Sequence, residues 1–310
     1  MVYTNNNNNQ NTITPKVSIL MLAYNHEKFI DRAINGVLMQ VTDFSFELVI
    51  GEDCSTDRTG DICEEYQRLY PDIIKLRRNP SNLGMNKNFV KTYNECRGEY
   101  IAFCEGDDYW TYNEKLQKQI LFMDKLDLWL SFHNGRMVND QGQLVQERIL
   151  PTANWNINKL LQIFPFTATI VIRKIPLTIE TQSLYEYTWS IDHMVMLLHA
   201  NRGDIGMLES VWCDHVYHKS GATSTLPYGK WALNRINSLE IFNKLTSKRH
   251  NKHVKQAQKE LCYHFAEIHA RGVLQKVKFV AKALRYGMNI NSIEALRIEI
   301  FRIKVSLFGR

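Results

Sequence analysis

The sequence predicts an α/β protein with a mostly parallel central sheet, flanking helices and a helical C-terminal extension. Three observations carry this. Over the first 110 residues short apolar runs alternate with amphipathic stretches, the pattern of βαβ units whose buried parallel strands read as continuous apolar segments. Acidic residues stand directly after two of those runs, at the carboxyl ends of strands, where open α/β sheets place their ligands. From about residue 229 onward apolar residues recur at helical spacing with Lys and Arg between them.

Each element follows in order. Val17 to Ala23 reads as a first buried strand, and Tyr24-Asn25-His26 leads into an amphipathic helix at about 28–39. Phe46 to Gly51 is a second strand ending in Glu52-Asp53. Ser55-Thr56-Asp57 supplies side-chain oxygens to cap a helix that runs to about Leu69 and is ended by Pro71. Ile73 to Leu76 makes a short third strand, followed by an Asn- and Gly-rich loop at 79–88 and a helix at about 88–96. The run Tyr100 to Cys104 is a further buried strand that releases Glu105-Gly106-Asp107-Asp108-Tyr109-Trp110 before a helix at about 113–127. Trp189 to His193 precedes a helical run, Met194 to Ala200, and Ser220 to Tyr228, rich in Gly, Ser and Thr, reads as a mobile loop able to close over a bound ligand. The expected organisation is a leader at 1–14, a catalytic domain at 15–228 and a basic amphipathic helical extension at 229–310.

Composition narrows the class. With 45% hydrophobic and 23% charged residues in 310, the chain can bury a sizeable core, and no run reaches the roughly 18 apolar residues of a membrane span. The Asn5 to Asn9 tract lacks an apolar secretory core. Six scattered cysteines without a CxxC pair point to reduced thiols in a cytoplasmic protein. The net charge of +6 is unevenly spread: residues 244–310 hold fifteen Lys and Arg against four acids, net +11, which leaves −5 for residues 1–243. A basic amphipathic tail suits either a solvated face packed on the catalytic domain or peripheral contact with an anionic membrane. No DNA or RNA module is recognisable, so nucleic acid is not an expected partner.

The chemistry concentrates at 105–108. Carboxylates this close repel one another unless a cation lies between them, and hard divalent ions such as Mg²⁺ or Mn²⁺ prefer oxygen ligands. The competing reading is that Asp107 or Asp108 caps the following helix. No GxGxxG follows the first strand, which argues against a dinucleotide site that holds pyrophosphate on glycines.

Four motifs in order carry a resemblance: Val17-Ser18-Ile19 with Ala23-Tyr24-Asn25, then Glu52-Asp53-Cys54-Ser55-Thr56-Asp57, then Asn82-Leu83-Gly84 with Asn88, then Gly98-Glu99-Tyr100-Ile101 into Glu105-Gly106-Asp107-Asp108. Over about residues 15–225 the chain resembles the family 2 glycosyltransferases of the GT-A fold. The resemblance implies transfer of a sugar from a nucleotide-diphosphate donor, with inversion, to a hydroxyl of a glycan or lipid-linked acceptor, as in bacterial polysaccharide assembly. It implies that Asp53 accepts the imide N–H of uracil or thymine, which favours UDP or dTDP and leaves GDP open. Tyr24 would lie against the base beside Ala23, with Glu52 supporting from behind. Gly84 would let the loop backbone pass near the nucleotide, and Lys87 would either meet the diphosphate or stay solvated.

By the same resemblance Asp107 is a direct ligand of Mn²⁺ or Mg²⁺, Glu105 stands where the family's first Asp often stands, and Asp108 contacts metal-bound water or the donor sugar. His218 matches a His-x-x-Gly segment and is a further metal ligand or diphosphate contact, although Val216 replaces the family's usual Arg two positions earlier. Asp192 is the expected catalytic base. The competing functions are a metal-dependent nucleotidyltransferase and a non-catalytic nucleotide-sugar-binding protein.

Overall fold

The computed structural model describes residues 14–152, 154–163, 165–188, 190–219, 221, 228–266, 273–286 and 303. The expected leader, the loop at 220–228 and the end of the expected helical extension, from residue 287 onward, lie almost wholly outside these residues.

Strands β1 (Val17–Ala23), β2 (Phe46–Glu52), β3 (Ile74–Arg78) and β4 (Tyr100–Phe103) form a parallel half-sheet in the order β3-β2-β1-β4. Side chains alternate between its two faces. Leu20, Leu22, Val49, Ile101 and Phe103 enter one core, while Val17, Ile19, Met21, Leu48, Ile50, Tyr100 and Ala102 enter another. Burial on both faces explains why these strands read as unbroken apolar runs.

Helices α1 (Ile30–Leu38) and α4 (Lys115–Leu126) cover the second face through Ile30, Ala33, Ile34 and Val37 and through Leu116, Ile120 and Met123. Helix α2 (Thr59–Leu69) follows β2, and α3 (Met85–Glu95) covers the first face with Phe89, Val90 and Tyr93. One close approach fixes a residue type here. A Cβ on Gly51 would stand 2.0 Å from Thr92 Oγ1, so α3 reaches β2 only because that position is glycine.

Beyond Trp110 the sheet becomes mixed. Strands β5 (Tyr109–Trp110), β6 (Leu130–Val138), β7 (Leu144–Arg148), β8 (Val171–Arg173) and β9 (Ile205–Val216) extend it in the order β4-β8-β6-β9-β5, with β7 paired on β6. β8 is antiparallel to both β4 and β6, β5 is antiparallel to β9, and β6 runs parallel to β9. The short α5 (Ile157–Leu160), α6 (Ile179–Tyr187) and α7 (Ile191–Ala200) complete this half.

The C-terminal helices are α8 (Tyr228–Leu245), α9 (Asn251–His264) and α10 (Val273–Arg285). Leu239 and Phe242 of α8 and Val254 and Ala257 of α9 belong to the same core as Leu20 and Phe103. The first two helices of the extension are thus built into the sheet's own core. A smaller core of Ile236, Cys262, Tyr263, Phe265, Phe279, Val280 and Ala283 joins α10 to them.

Candidate active site

The carboxyl ends of β1, β2 and β4 meet at one edge. Ala23, at the end of β1, is buried and its carbonyl accepts the Asp53 N–H at 3.0 Å. Asp53, 3% exposed, moors the Asn-rich loop: Oδ1 accepts Asn79 Nδ2 and the Leu83 N–H, both at 2.9 Å, and Oδ2 accepts the Gly84 N–H at 2.8 Å. A carboxylate offers about four acceptor positions, so one is left for an outside donor. Gly84 holds φ of 79°, a left-handed backbone that favours glycine, with open space where a Cβ would stand. Tyr24, directly after Ala23, is 42% exposed. Lys87, in the first turn of α3, is exposed. Glu52 points inward: Oε1 accepts the Ser55 N–H at 2.6 Å and Oε2 lies 3.5 Å from Arg78 Nε.

The capping role expected of 55–57 is divided. Asp57 accepts the Thr59 N–H at 2.9 Å at the start of α2, whereas Ser55 Oγ accepts the Asn25 N–H at 3.0 Å and ties the two loops together.

The acidic turn lies against the end of β1, where the Gly106 N–H donates to Leu22 O at 2.9 Å. A Cβ on Gly106 would come within 2.8 Å of His26 Nδ1, so the glycine lets the turn close over that ring. Pairing of β5 with β9 then brings His215 and His218 to the acids, where His26 already stands at the exit of β1. His218 Nε2 is 3.0 Å from Asp107 Oδ2, and His26 Nε2 is 3.7 Å from the same oxygen. Asp108, 2% exposed, turns the other way: His215 Nδ1 lies 3.0 and 3.1 Å from its two oxygens, and the Val216 N–H donates to Oδ1 at 2.9 Å. In this arrangement Asp108 braces β9.

Asp192 sits in the first turn of α7. Ser190 Oγ and the His193 N–H both donate to Oδ1 at 2.8 Å, and Thr167 Oγ1 donates to Oδ2 at 3.2 Å. His193 itself is buried with Nε2 at 2.9 Å from Leu160 O, and burial pushes its imidazole down to about 3, so it stays neutral in the core.

The electrostatics follow from four carboxylates sharing one recess. Burial, then repulsion from Asp107, Asp108 and Asp192, pushes the Glu105 carboxyl well above its usual range. Burial would also raise Asp107, but His26, His218 and His215 outweigh it and hold that carboxyl below its usual value. Burial raises Asp108 despite His215, and Asp108 in turn lifts the His215 imidazole against its own desolvation. Among the described residues no group of three or more His, Cys, Asp or Glu already converges as a metal cage. The donor set nonetheless suits a divalent ion. A carboxylate with water and substrate phosphates in the remaining positions is how Mg²⁺ and Mn²⁺ are commonly held, and an adjacent imidazole is tolerated by Mn²⁺ better than by Mg²⁺.

Sequence reasoning passed over His26, His215 and Thr167. His26 had a signal, since it follows directly on the β1 exit. His215 and Thr167 had none, because only the β5–β9 pairing and the approach of 167 to α7 give them neighbours. Trp155 packs edge-on against Phe132 and Trp212 stacks on Tyr112, while the side chains of Trp189 and Trp231 lie outside the described residues.

A parallel nucleotide-binding half extended by a mixed sheet, with acids at the β1–β4 edge, is the arrangement of GT-A transferases. The family model "Glycosyl transferase family 2" matches residues 18–183, and the chain belongs to that family. An uncharacterised protein of Mycobacterium bovis is 33% identical over 211 residues, covering 66% of this chain and 60% of its own length, so the chain spans about three fifths of that relative. The crystal structure of Staphylococcus aureus TarS 1–349 in complex with UDP superposes with a TM-score of 0.59 at 18% identity, over 94% of this chain and 90% of that one. A mannosyltransferase of Pyrobaculum calidifontis, in complex with GDP-Man and Mn²⁺, gives a TM-score of 0.51 at 12% identity, over 95% of this chain and 85% of that one. Both show likeness of fold.

Proposed function

We propose that this chain transfers a sugar, with inversion, from a UDP- or dTDP-sugar to a hydroxyl of a glycan or lipid-linked acceptor. The observation that carries the reading is the gathering of Asp107, Glu105, Asp192 and His218 at the strand edge where Asp53 holds the loop around Gly84.

Asp53 keeps one acceptor position for the base imide, Tyr24 offers its exposed ring to the base, and the Gly84 turn lets the backbone lie close to the ribose and diphosphate. Lys87, exposed at the start of α3, would steer the phosphates in. A Mn²⁺ or Mg²⁺ ion would be held by Asp107 and His218 with Glu105 alongside, and when bound it would neutralise charge growing on the departing diphosphate. The likeness of fold to TarS, solved with UDP, and to the Pyrobaculum enzyme, solved with GDP-Man and Mn²⁺, supports this reading.

Asp192 takes the proton of the attacking hydroxyl. Its two oxygens are oriented by Ser190, the His193 N–H and Thr167, which fixes the carboxylate without consuming all of its acceptor positions. Asp108, turned to His215 and Val216, keeps β9 and hence His218 against the acidic turn.

A thermal-shift screen of UDP, dTDP, GDP and ADP, each with and without Mn²⁺, tests the reading. UDP or dTDP should stabilise the protein only when the ion is present. Stabilisation by none of the four, with or without metal, removes the donor assignment.

A further inference from the structure

The C-terminal helices present two basic surfaces with different fates. On α10 the apolar stripe of Phe279, Val280 and Ala283 is buried in the core shared with α8 and α9, so the face that would enter a bilayer is already used. The corner joining α8 to α9 is built otherwise. No Asp or Glu occurs between residues 241 and 259, whereas Lys244, Lys248, Arg249, Lys252 and Lys255 are all exposed there. Among the described residues none of these five is ion-paired. Leu245 stands among them 43% exposed.

We propose that the α8–α9 corner is a docking surface for anionic lipid headgroups. The corner is braced rather than loose. The Lys248 N–H donates to Asn243 O at 2.7 Å, Asn243 Nδ2 donates to Asn251 Oδ1 at 3.0 Å, and His250 Nε2 lies 2.9 Å from Asn201 Oδ1 at the end of α7. Ser247 and Lys248 hold φ of 50° and 60°, a left-handed backbone disfavoured for both, which the surrounding bonds enforce. The cations are therefore displayed at a braced, exposed helix corner. The exposed Leu245 among these cations adds an apolar contact that a lipid headgroup layer can accept and a soluble polyanionic chain would leave unused.

Position matters too. The corner is tied to the C-cap of α7, and Asp192 lies at that helix's other end, about 13.5 Å away along its axis at 1.5 Å per residue. Docking at the corner leaves the catalytic end of α7 clear. The inference does not depend on the transferase reading, since a catalytically inert chain would dock equally well.

Each basic side chain near an anionic leaflet strengthens binding by roughly five-fold, and the attraction falls with salt. The full chain is tested by co-sedimentation with phosphatidylcholine vesicles, and with vesicles containing about a third phosphatidylglycerol, at low and near-physiological salt. The wild type should sediment with the anionic vesicles only, and less so as salt rises. The triple variant Lys248→Gln/Arg249→Gln/Lys252→Gln should bind them roughly a hundred-fold more weakly, with an unchanged melting temperature and unchanged nucleotide-dependent stabilisation. The variant Lys278→Gln/Lys282→Gln on α10 should bind as the wild type does. Equal binding to neutral vesicles, full binding by the corner variant, loss confined to the α10 variant, or capture of polyphosphate or duplex DNA without vesicle binding would each overturn the proposal.

Discussion

Lys115 offers a stringent test of the core behind the acidic turn. Its ammonium is 0% exposed, has no hydrogen-bond partner, and lies 3.9 Å from the centroid of the Trp110 ring. Burial pushes its pKa down to about 7 from an ordinary 10.5, the neighbouring Cys104 and Cys213 opposing only weakly. The sign follows from proton counting: between pH 7 and about 10.5 the unfolded chain holds a proton that the folded chain has lost, so stability rises with pH across that window. With these two values the penalty is roughly 4 kcal/mol at pH 7 and roughly 2 kcal/mol at pH 9. The Trp110 ring returns about 2 kcal/mol while the group is charged. Lys115→Met keeps the chain length and removes the charge, so it should stabilise the protein by a few kcal/mol at pH 7. The more decisive quantity is the slope. Urea unfolding at pH 7, 8 and 9 should show wild-type stability gaining on the variant's by roughly 2 kcal/mol across the series. Parallel pH dependences, or a variant less stable than wild type at every pH, would refute the account of a strained buried ammonium.

Asp192→Asn should reduce transfer by about 10²–10⁴-fold while Mn²⁺-dependent nucleotide stabilisation persists, measured by product formation beside thermal shift. Asp107→Ala should abolish both the metal requirement and the metal-dependent nucleotide shift; Mn²⁺ stimulation that survives would place the ion elsewhere. Gly51→Ala should lower stability by about 1–3 kcal/mol in denaturant unfolding, because the added Cβ would stand 2.0 Å from Thr92 Oγ1 and α3 must move off β2. Thr167→Val should lower kcat about ten-fold with little change in donor KM, since Asp192 Oδ2 loses its hydroxyl donor while Ser190 and His193 still hold Oδ1; an unchanged kcat would show that Thr167 does not orient the base.

The chain's own order of residues was enough to locate the parallel half-sheet. Val17 to Ala23, Phe46 to Glu52 and Tyr100 to Phe103 are buried on both faces, so their apolar runs are visible without any partner. The helices α1 to α4 were legible within a few residues of their ends for the matching reason, a one-sided apolar stripe. The placement of Asp53 and Asp107 at strand exits followed from the same local patterns.

Tertiary structure decided the rest. β6, with His133, Asn134 and Arg136 inside its nine residues, has no clean period, and its strand character comes from pairing with β7, β8 and β9. Only the β5–β9 pairing, between residues more than a hundred apart in sequence, puts His215 on Asp108 and His218 on Asp107. The inward turn of Asp108 is of the same kind, because a carboxylate's partner depends on which distant backbone N–H arrives beside it. The docking of α8 and α9 into the main core likewise needs the opposing face of the sheet to exist first. Periodicity records what each segment buries, whereas the identity of what it is buried against is set by contacts that no local stretch of sequence contains.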